Sequence, residues 1–204
     1  MALTTTPAVE IGRKCPSFEL PGVDGKIHRL SEFPSGCPLV VMFICNHCPY
    51  VQAIEDRLIQ LGQDLLKLQV PLVAICSNDS STYPEDSFPE LQKRASAKKY
   101  PFLYLHDESQ DVAHAFGAVC TPDFFVYDKN HRLAYRGRLD DSWKDASKVT
   151  RRELYEAVVA LNADKTVAPG NPSMGCSMKW KSTSSSASSG ASSGASSGAP
   201  SSKG

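Results

Sequence analysis

Cys45-Asn46-His47-Cys48 sets two thiols three residues apart with an imidazole between them. Thiols at that spacing can interconvert with a disulfide. One thiolate attacks a foreign disulfide, the second attacks the mixed disulfide so formed, and two electrons pass. Cys45 is read as the nucleophile and Cys48 as the resolving thiol. An imidazolium at His47, with Asn46 beside it, would favour the thiolate and make the disulfide more oxidising. The Cys45–Cys48 disulfide would then be the redox group itself, with no cofactor and no metal expected. Zinc would require four ligands, and no second Cys-X-X-Cys or His-X-His pair stands at a suitable spacing. A purely structural cysteine pair would leave its position in the chain unexplained.

That position is set by the elements around it. Leu39 to Ile44 is a six-residue apolar run, suited to a strand covered on both faces. Pro49 then opens a segment in which Val51, Ile54, Leu58, Leu61, Leu65 and Leu68 step by three and four, the stripe of an amphipathic helix. A cysteine at such a junction faces unpaired amide N–H groups and the positive end of the helix dipole. Cys45 is therefore expected to point at solvent and to ionise below the ~8.5 of a free thiol. Val70 to Cys76 is a second buried strand with Pro71 at its start, so strand, helix and strand imply a parallel crossover.

The remaining chain supplies the periphery. Phe18–Leu20 and Lys26–Leu30 flank an Asp24-Gly25 turn and predict a hairpin. Ser87 and Glu90 form a capping-box pattern for a helix to about Lys99, and Phe102–Leu105 is a short strand. Asp107 to Gln110 caps a brief helix closed by Gly117. Asp123–Tyr127 and Leu133–Arg136 predict an antiparallel hairpin. Thr150 and Glu153 give a second capping box for a helix carrying Leu154, Val158 and Leu161. From Ser182 to Gly204 the chain is nearly all Ser, Gly and Ala, with Ala-Ser-Ser-Gly in tandem. Such a run has no apolar surface to offset ordering entropy and is expected to be a disordered tail.

With 204 residues and 41% hydrophobic content, the chain can bury one sizeable core, expected over residues 8–181. Lys plus Arg and Asp plus Glu both number 22, so no basic field exists for nucleic acid or an anionic membrane. No run approaches the roughly 18 to 20 apolar residues of a membrane span. Met1 to Arg13 lacks the apolar centre of a secretory signal, and seven cysteines is an odd number. Reduced thiols in a cytoplasmic protein are the expectation.

Strand into Cys-X-X-Cys into helix, Thr121-Pro122 just before a later strand, and a closing hairpin and helix together resemble the thioredoxin fold. Gly12 to Pro21 resembles the added N-terminal segment of the redoxin branch, which includes peroxiredoxins. Phe43 to Val51, reading Phe-Ile-Cys-Asn-His-Cys-Pro-Tyr-Val, is similar to peroxiredoxin-like thioredoxin-family proteins of AhpC-TSA type. Cys120 to Phe124, Tyr135 to Asp141 and Pro172 to Trp180 extend the likeness, which covers about residues 8 to 181. It implies an α/β thioredoxin-like fold, a mixed central sheet flanked by helices, with an N-terminal redoxin-type β-hairpin. It also implies a cis peptide before Pro122, with Thr121 and Pro122 beside the catalytic cysteine where a bound chain can pair as a strand. Two departures stand out. Leu39 and Ile44 occupy the places of the thioredoxin aspartate and tryptophan, and Met42 that of the peroxiredoxin threonine.

The function these observations point to is thiol-disulfide oxidoreduction through Cys45 and Cys48, serving redox homeostasis or antioxidant defence. The expected partners are a disulfide-bearing protein, or a low-molecular-weight thiol or peroxide, and an electron donor. One alternative is a thiol peroxidase in which Cys45 becomes a sulfenic acid. Another is a non-catalytic redox-sensing or binding module. Cys120 is either a third thiol near Cys45 or a small residue packed in a loop. Cys176 either folds back towards the site or stays exposed. Cys76 is expected in the core, Cys15 and Cys37 without partners, His106 in a loop, and Arg138, Asp140 and Asp141 as solvated charges at a strand end.

Overall fold

A computed structural model describes residues 3–7 and 10–182. The Ser/Gly/Ala run from residue 183, expected to be a flexible tail, lies outside the described residues. Along the chain come strand β1 (Leu3–Thr5), β2 (Glu19–Pro21), β3 (Ile27–Arg29) and β4 (Leu39–Phe43), then helix α1 (Pro49–Lys67) and β5 (Leu72–Cys76). After these follow α2 (Phe88–Lys98), β6 (Leu103–His106), α3 (Asp111–Phe116), β7 (Cys120–Thr121), β8 (Asp123–Tyr127), β9 (Leu133–Gly137), α4 (Glu153–Asn162) and β10 (Met174–Ser177).

The two all-buried apolar runs lie at the heart of a five-stranded sheet of order β6-β5-β4-β8-β9. β4 runs parallel to β5 and β5 to β6, while β8 and β9 are antiparallel. This is the expected thioredoxin-like mixed sheet. Because side chains alternate across a strand, β4 feeds two cores at once. Val40 and Met42 join the α1 stripe, Leu154 and Val158 on one face, whereas Leu39, Val41 and Phe43 join Phe18, Phe116 and Phe125 on the other. In α1, Val51, Ile54, Leu58, Leu61 and Leu65 are all buried, each worth roughly 1.5–3 kcal/mol relative to exposure. That packing fixes the helix axis, and hence where its N-terminus points.

β2 and β3 form the N-terminal hairpin, with Gly25 at φ 82° in its turn. The hairpin docks on the outer edge of the sheet, where the Val23 amide donates to the Tyr104 carbonyl at 2.9 Å. Two boundary expectations change. Neither capping box closes: Ser87 and Arg152 occupy the N-cap positions of α2 and α4 without a side-chain cap, and Thr150 instead bonds the Asp141 carboxylate. The hydroxyl follows the nearer carboxylate across the loop rather than the helix start.

The sequence gives no hint of a second, three-stranded sheet of order β1-β10-β7. Here Leu3 pairs with Cys176, and Cys176 in turn with Thr121, so both ends of the fold meet on a two-residue strand beside Cys45 and Cys48.

Candidate active site

β4 ends at Phe43, and the Ile44 amide still bonds the Ile75 carbonyl at 3.0 Å before the chain turns. α1 begins at Pro49, whose missing N–H falls where no helical partner exists. Cys48 is therefore the N-cap, in extended conformation, and Cys45 sits a turn earlier against the strand ends. The structure thus corrects two expectations: the helix N-terminus faces Cys48, and neither sulfur points at solvent. Cys45 is 1% exposed and Cys48 0%. All seven cysteines are thiols.

Around this turn the two thiols shift in opposite directions. A hydrogen bond from Cys45 lowers Cys48 to about 5, against the cost of burial, and bonds from Thr121, the Val51 amide and Cys176 add to the effect. As a thiol Cys48 donates to the Thr121 carbonyl oxygen at 3.1 Å. For Cys45 the causes run the other way. Burial raises it well above the ordinary thiol range, as do its role as donor to Cys48 and the nearby Asp86 and Cys76. The hydrogen bond between them thus favours the charge on Cys48 over Cys45.

Asp86, which the sequence reading did not single out, organises the turn. Its Oδ1 accepts the Asn46 and His47 amides at 2.8 and 3.2 Å, and its Oδ2 accepts His47 Nδ1 at 2.6 Å and Asn78 Nδ2 at 2.9 Å. Burial works against this carboxylate, but the bonds from His47 and Asn78 hold it below the usual range. His47 is pinned by that bond and by stacking on Tyr83, with ring centroids 4.3 Å apart. Its Nδ1 also lies 3.7 Å from Cys45 Sγ. Asn46, expected beside the thiolate, turns away to the Glu85 and Glu90 carbonyls and accepts from Tyr104. It positions the loop.

Cys45, His47 and Asp86 offer ligand atoms that all lie within 4.8 Å of one another. Both oxygens of Asp86 already accept two donors each, and a metal ion would have to displace them. His47 Nε2, on the other side of the ring, is buried without a hydrogen-bond partner among the described residues.

From the opposite side, the peptide before Pro122 is cis, as the resemblance implies. Thr121 Oγ1 is 3.4 Å from Cys45 Sγ while its carbonyl faces Cys48, so one residue touches both sulfurs. The backbone edge next to it, expected to receive a bound chain, is occupied by β10. Beside Pro122 opens a cavity of about 230 Å³ whose walls include Tyr50, Ile54, Phe124, Leu139 and Trp143.

The profile of the AhpC/TSA family matches residues 11–136, more than half of the chain. The chain belongs to the AhpC/TSA family. No curated protein sequence matches it. Among solved structures, it is similar to an uncharacterized conserved protein from Geobacillus kaustophilus, with 42% identity and a TM-score of 0.84 over 89% of this chain and 97% of that one. A hypothetical protein from Sinorhizobium meliloti 1021 shares 39% identity, with a TM-score of 0.83 over 87% and 98% of the two chains. A putative protein disulfide isomerase from Bacteroides thetaiotaomicron is 17% identical, with a TM-score of 0.58 over 80% and 95% of the two chains, which shows the fold.

In this AhpC/TSA chain the remaining candidates separate clearly. Cys176, left open between folding back and exposure, folds back and is buried against Cys48. Cys120 is fully buried, its Sγ 3.7 Å from the Pro122 carbonyl, and burial pushes its thiol up. Cys76 is core, as expected. Cys15 is buried beside Tyr127 and raised to about 12 by that burial, while Cys37 is part-exposed. His106 is no loop residue: it ends β6, buried and stacked on Phe88. Asp140 is likewise buried and paired with Arg57, and Arg138 pairs with Glu153 at 2.7 Å. None of the described helices is long and apolar enough to cross a membrane.

Proposed function

We propose that the protein is a thiol-disulfide oxidoreductase that cycles Cys45 and Cys48 between dithiol and disulfide, with Cys48 as the attacking thiolate. The observation that carries this reading is the pair of buried sulfurs at the start of α1, Cys48 its N-cap and Cys45 a turn earlier, with Thr121 meeting both. A thiolate is the nucleophile of disulfide exchange, and a helix N-terminus is where proteins stabilise one. Cys48 attacks one sulfur of a substrate disulfide, forming a mixed disulfide and expelling the first substrate thiolate. Cys45 then attacks Cys48, its proton passes to the departing second thiolate, and a Cys45–Cys48 disulfide remains. A thiol electron donor reverses the two steps. Thr121 holds both sulfurs in line, and Asp86 fixes the backbone of the turn between them. The apolar cavity beside Pro122 suits the aliphatic or aromatic flank of a substrate.

The test is reduction of a protein disulfide by the wild type and by single serine variants. Cys48→Ser should lose turnover, and Cys45→Ser should trap a mixed disulfide through Cys48. A Cys48→Ser variant that trapped substrate through Cys45 would restore the opposite assignment. Undiminished turnover in Cys48→Ser would remove the reading altogether.

A second reading is favoured by the same thiolate and by membership of the AhpC/TSA family. A hydroperoxide would oxidise Cys48 to a sulfenic acid, releasing an alcohol or water, and Cys45 would condense with it, releasing water and forming the same disulfide. Peroxide consumption far above that of a free thiol would select this route, and a rate equal to one would remove it.

A further inference from the structure

Three cysteines converge on one residue. Thr121 meets Cys45 through its hydroxyl at 3.4 Å, faces Cys48 through its carbonyl at 3.1 Å, and pairs in register with Cys176 across the β10–β7 ladder. The approach of the two strands is close. A Cβ on Gly175 would stand 2.0 Å from the Thr121 carbonyl oxygen, so only glycine lets β10 lie this near. Beside it, Cys176 is 3% exposed and lies in the same buried cluster as Cys45 and Cys48. Cys48 thus has two cysteine neighbours, one from its own turn and one from the far end of the fold. The cycle above uses only the first.

We propose that Cys176 is a third redox thiol that takes the disulfide over from Cys45, forming a Cys48–Cys176 bond that latches β10 onto the site. The step rests on the Cys45/Cys48 cycle for its starting disulfide and is an exchange without net oxidation. Cys176 sulfur attacks Cys48 sulfur, the Cys45–Cys48 bond breaks as the Cys48–Cys176 bond forms, and the proton leaving Cys176 ends on Cys45. The geometry brings the three thiols together, since Thr121 meets both Cys45 and Cys48 and pairs in register with Cys176. The outcome is a single thiol at Cys45 and a C-terminal strand that can no longer swing away. A chain with this latch closed cannot admit an extended peptide along β7. The open dithiol form can admit one by releasing β10, whose ladder with β7 spans only two residue pairs.

The experiment oxidises the fully reduced, full-length chain with one equivalent of diamide, followed by acid quenching, alkylation and peptide mapping with fragmentation to assign the linked sulfurs. In Cys45→Ser, diamide is reduced to its hydrazine and a monomeric Cys48–Cys176 link should appear. It should be lost when Cys176→Ser is added. Alkylation of both Cys48 and Cys176 in monomeric Cys45→Ser, or a Cys48 link only between chains, would overturn the inference. Wild type run in parallel separates the two claims. Cys45–Cys48 in wild type with no Cys48–Cys176 in the variant sinks the latch and spares the cycle, whereas the converse sinks the cycle and spares the third thiol. Circular dichroism checks folding, and Cys45→Ala serves if the serine variant is unfolded. In unmutated chain held oxidised, a Cys48–Cys176 peptide building up at the expense of Cys45–Cys48 reads the exchange directly, and its complete absence there counts against it.

Discussion

Asp86 and Asp123 are both fully buried, and they bracket the end of the same strand. Asp123 pairs across the sheet with Phe43, the last residue of β4, and Asp86 binds the turn that follows. Their partners differ. Asp123 takes both Nε and Nη2 of Arg136 at 3.1 and 2.7 Å, and that guanidinium also reaches the Gly117 carbonyl and lies over the Phe125 ring. Asp86 has amides and an imidazole instead. A fixed cation answers the first charge, so where its field reaches Cys120 the guanidinium opposes it, and it serves the joint between α3, β8 and β9. The second is answered by polar groups, and its field still reaches Cys45 and Cys76. One buried acid belongs to the framework and the other to the chemistry.

The sharpest way to break this division is Arg136→Ala. It leaves Asp123 buried without its cation and should cost roughly 3–5 kcal/mol in urea unfolding, while the thiolate titration of Cys48 stays in place. Asp86→Asn should cost less, about 1.5–3 kcal/mol for its charge-assisted bonds, and should make Cys45 easier to ionise. A larger loss from Asp86→Asn than from Arg136→Ala would end the distinction.

Acid unfolding sharpens it further, because the two carboxyls shift in opposite directions. Asp86 sits below its unfolded value, so its contribution is present above the ordinary carboxylate range and lost as pH falls through its folded value. Burial raises Asp123 even against the Arg136 bonds, so the folded state takes up that proton first and gains stability as pH falls. Asp86→Asn should therefore flatten the acid arm of a stability–pH curve and Asp123→Asn steepen it. Parallel curves would refute the assignment. The smallest effect is expected from Thr121→Val: about 0.5–1.5 kcal/mol for the lost hydroxyl bond, with Cys48 moving up from about 5 in an ultraviolet thiolate titration.

Much of the framework was legible because it repeats. Six apolar residues before Cys45, the stripe from Val51 to Leu65 and the turn at Asp24-Gly25 each carry local periodicity or a turn signal, and each element formed where it was expected. What stayed hidden has no local signature. Met174–Ser177 shows neither alternation nor an apolar run, and it is a strand because β1 and β7 each offer it an edge. Asp86 reads as one more polar residue in the stretch from Ser77, and its burial exists only once the redox turn folds onto it. Which cysteine caps the helix depends on a single residue of helix start: Pro49 opens α1, so the N-cap is Cys48 rather than Cys45.

The pairing of Leu3 with Cys176 and of Cys176 with Thr121 also has a meaning in time. Contacts this distant in sequence close late, because the loop entropy must be overcome before the strand contacts repay it. A chain is made from its N-terminus, and β10 is the last of the described strands to emerge. Until it arrives, the edge of β7 is open and Cys48 lacks Cys176 as a neighbour. The growing protein thus meets oxidants with that sulfur uncovered, and completing the fold is also what shields it.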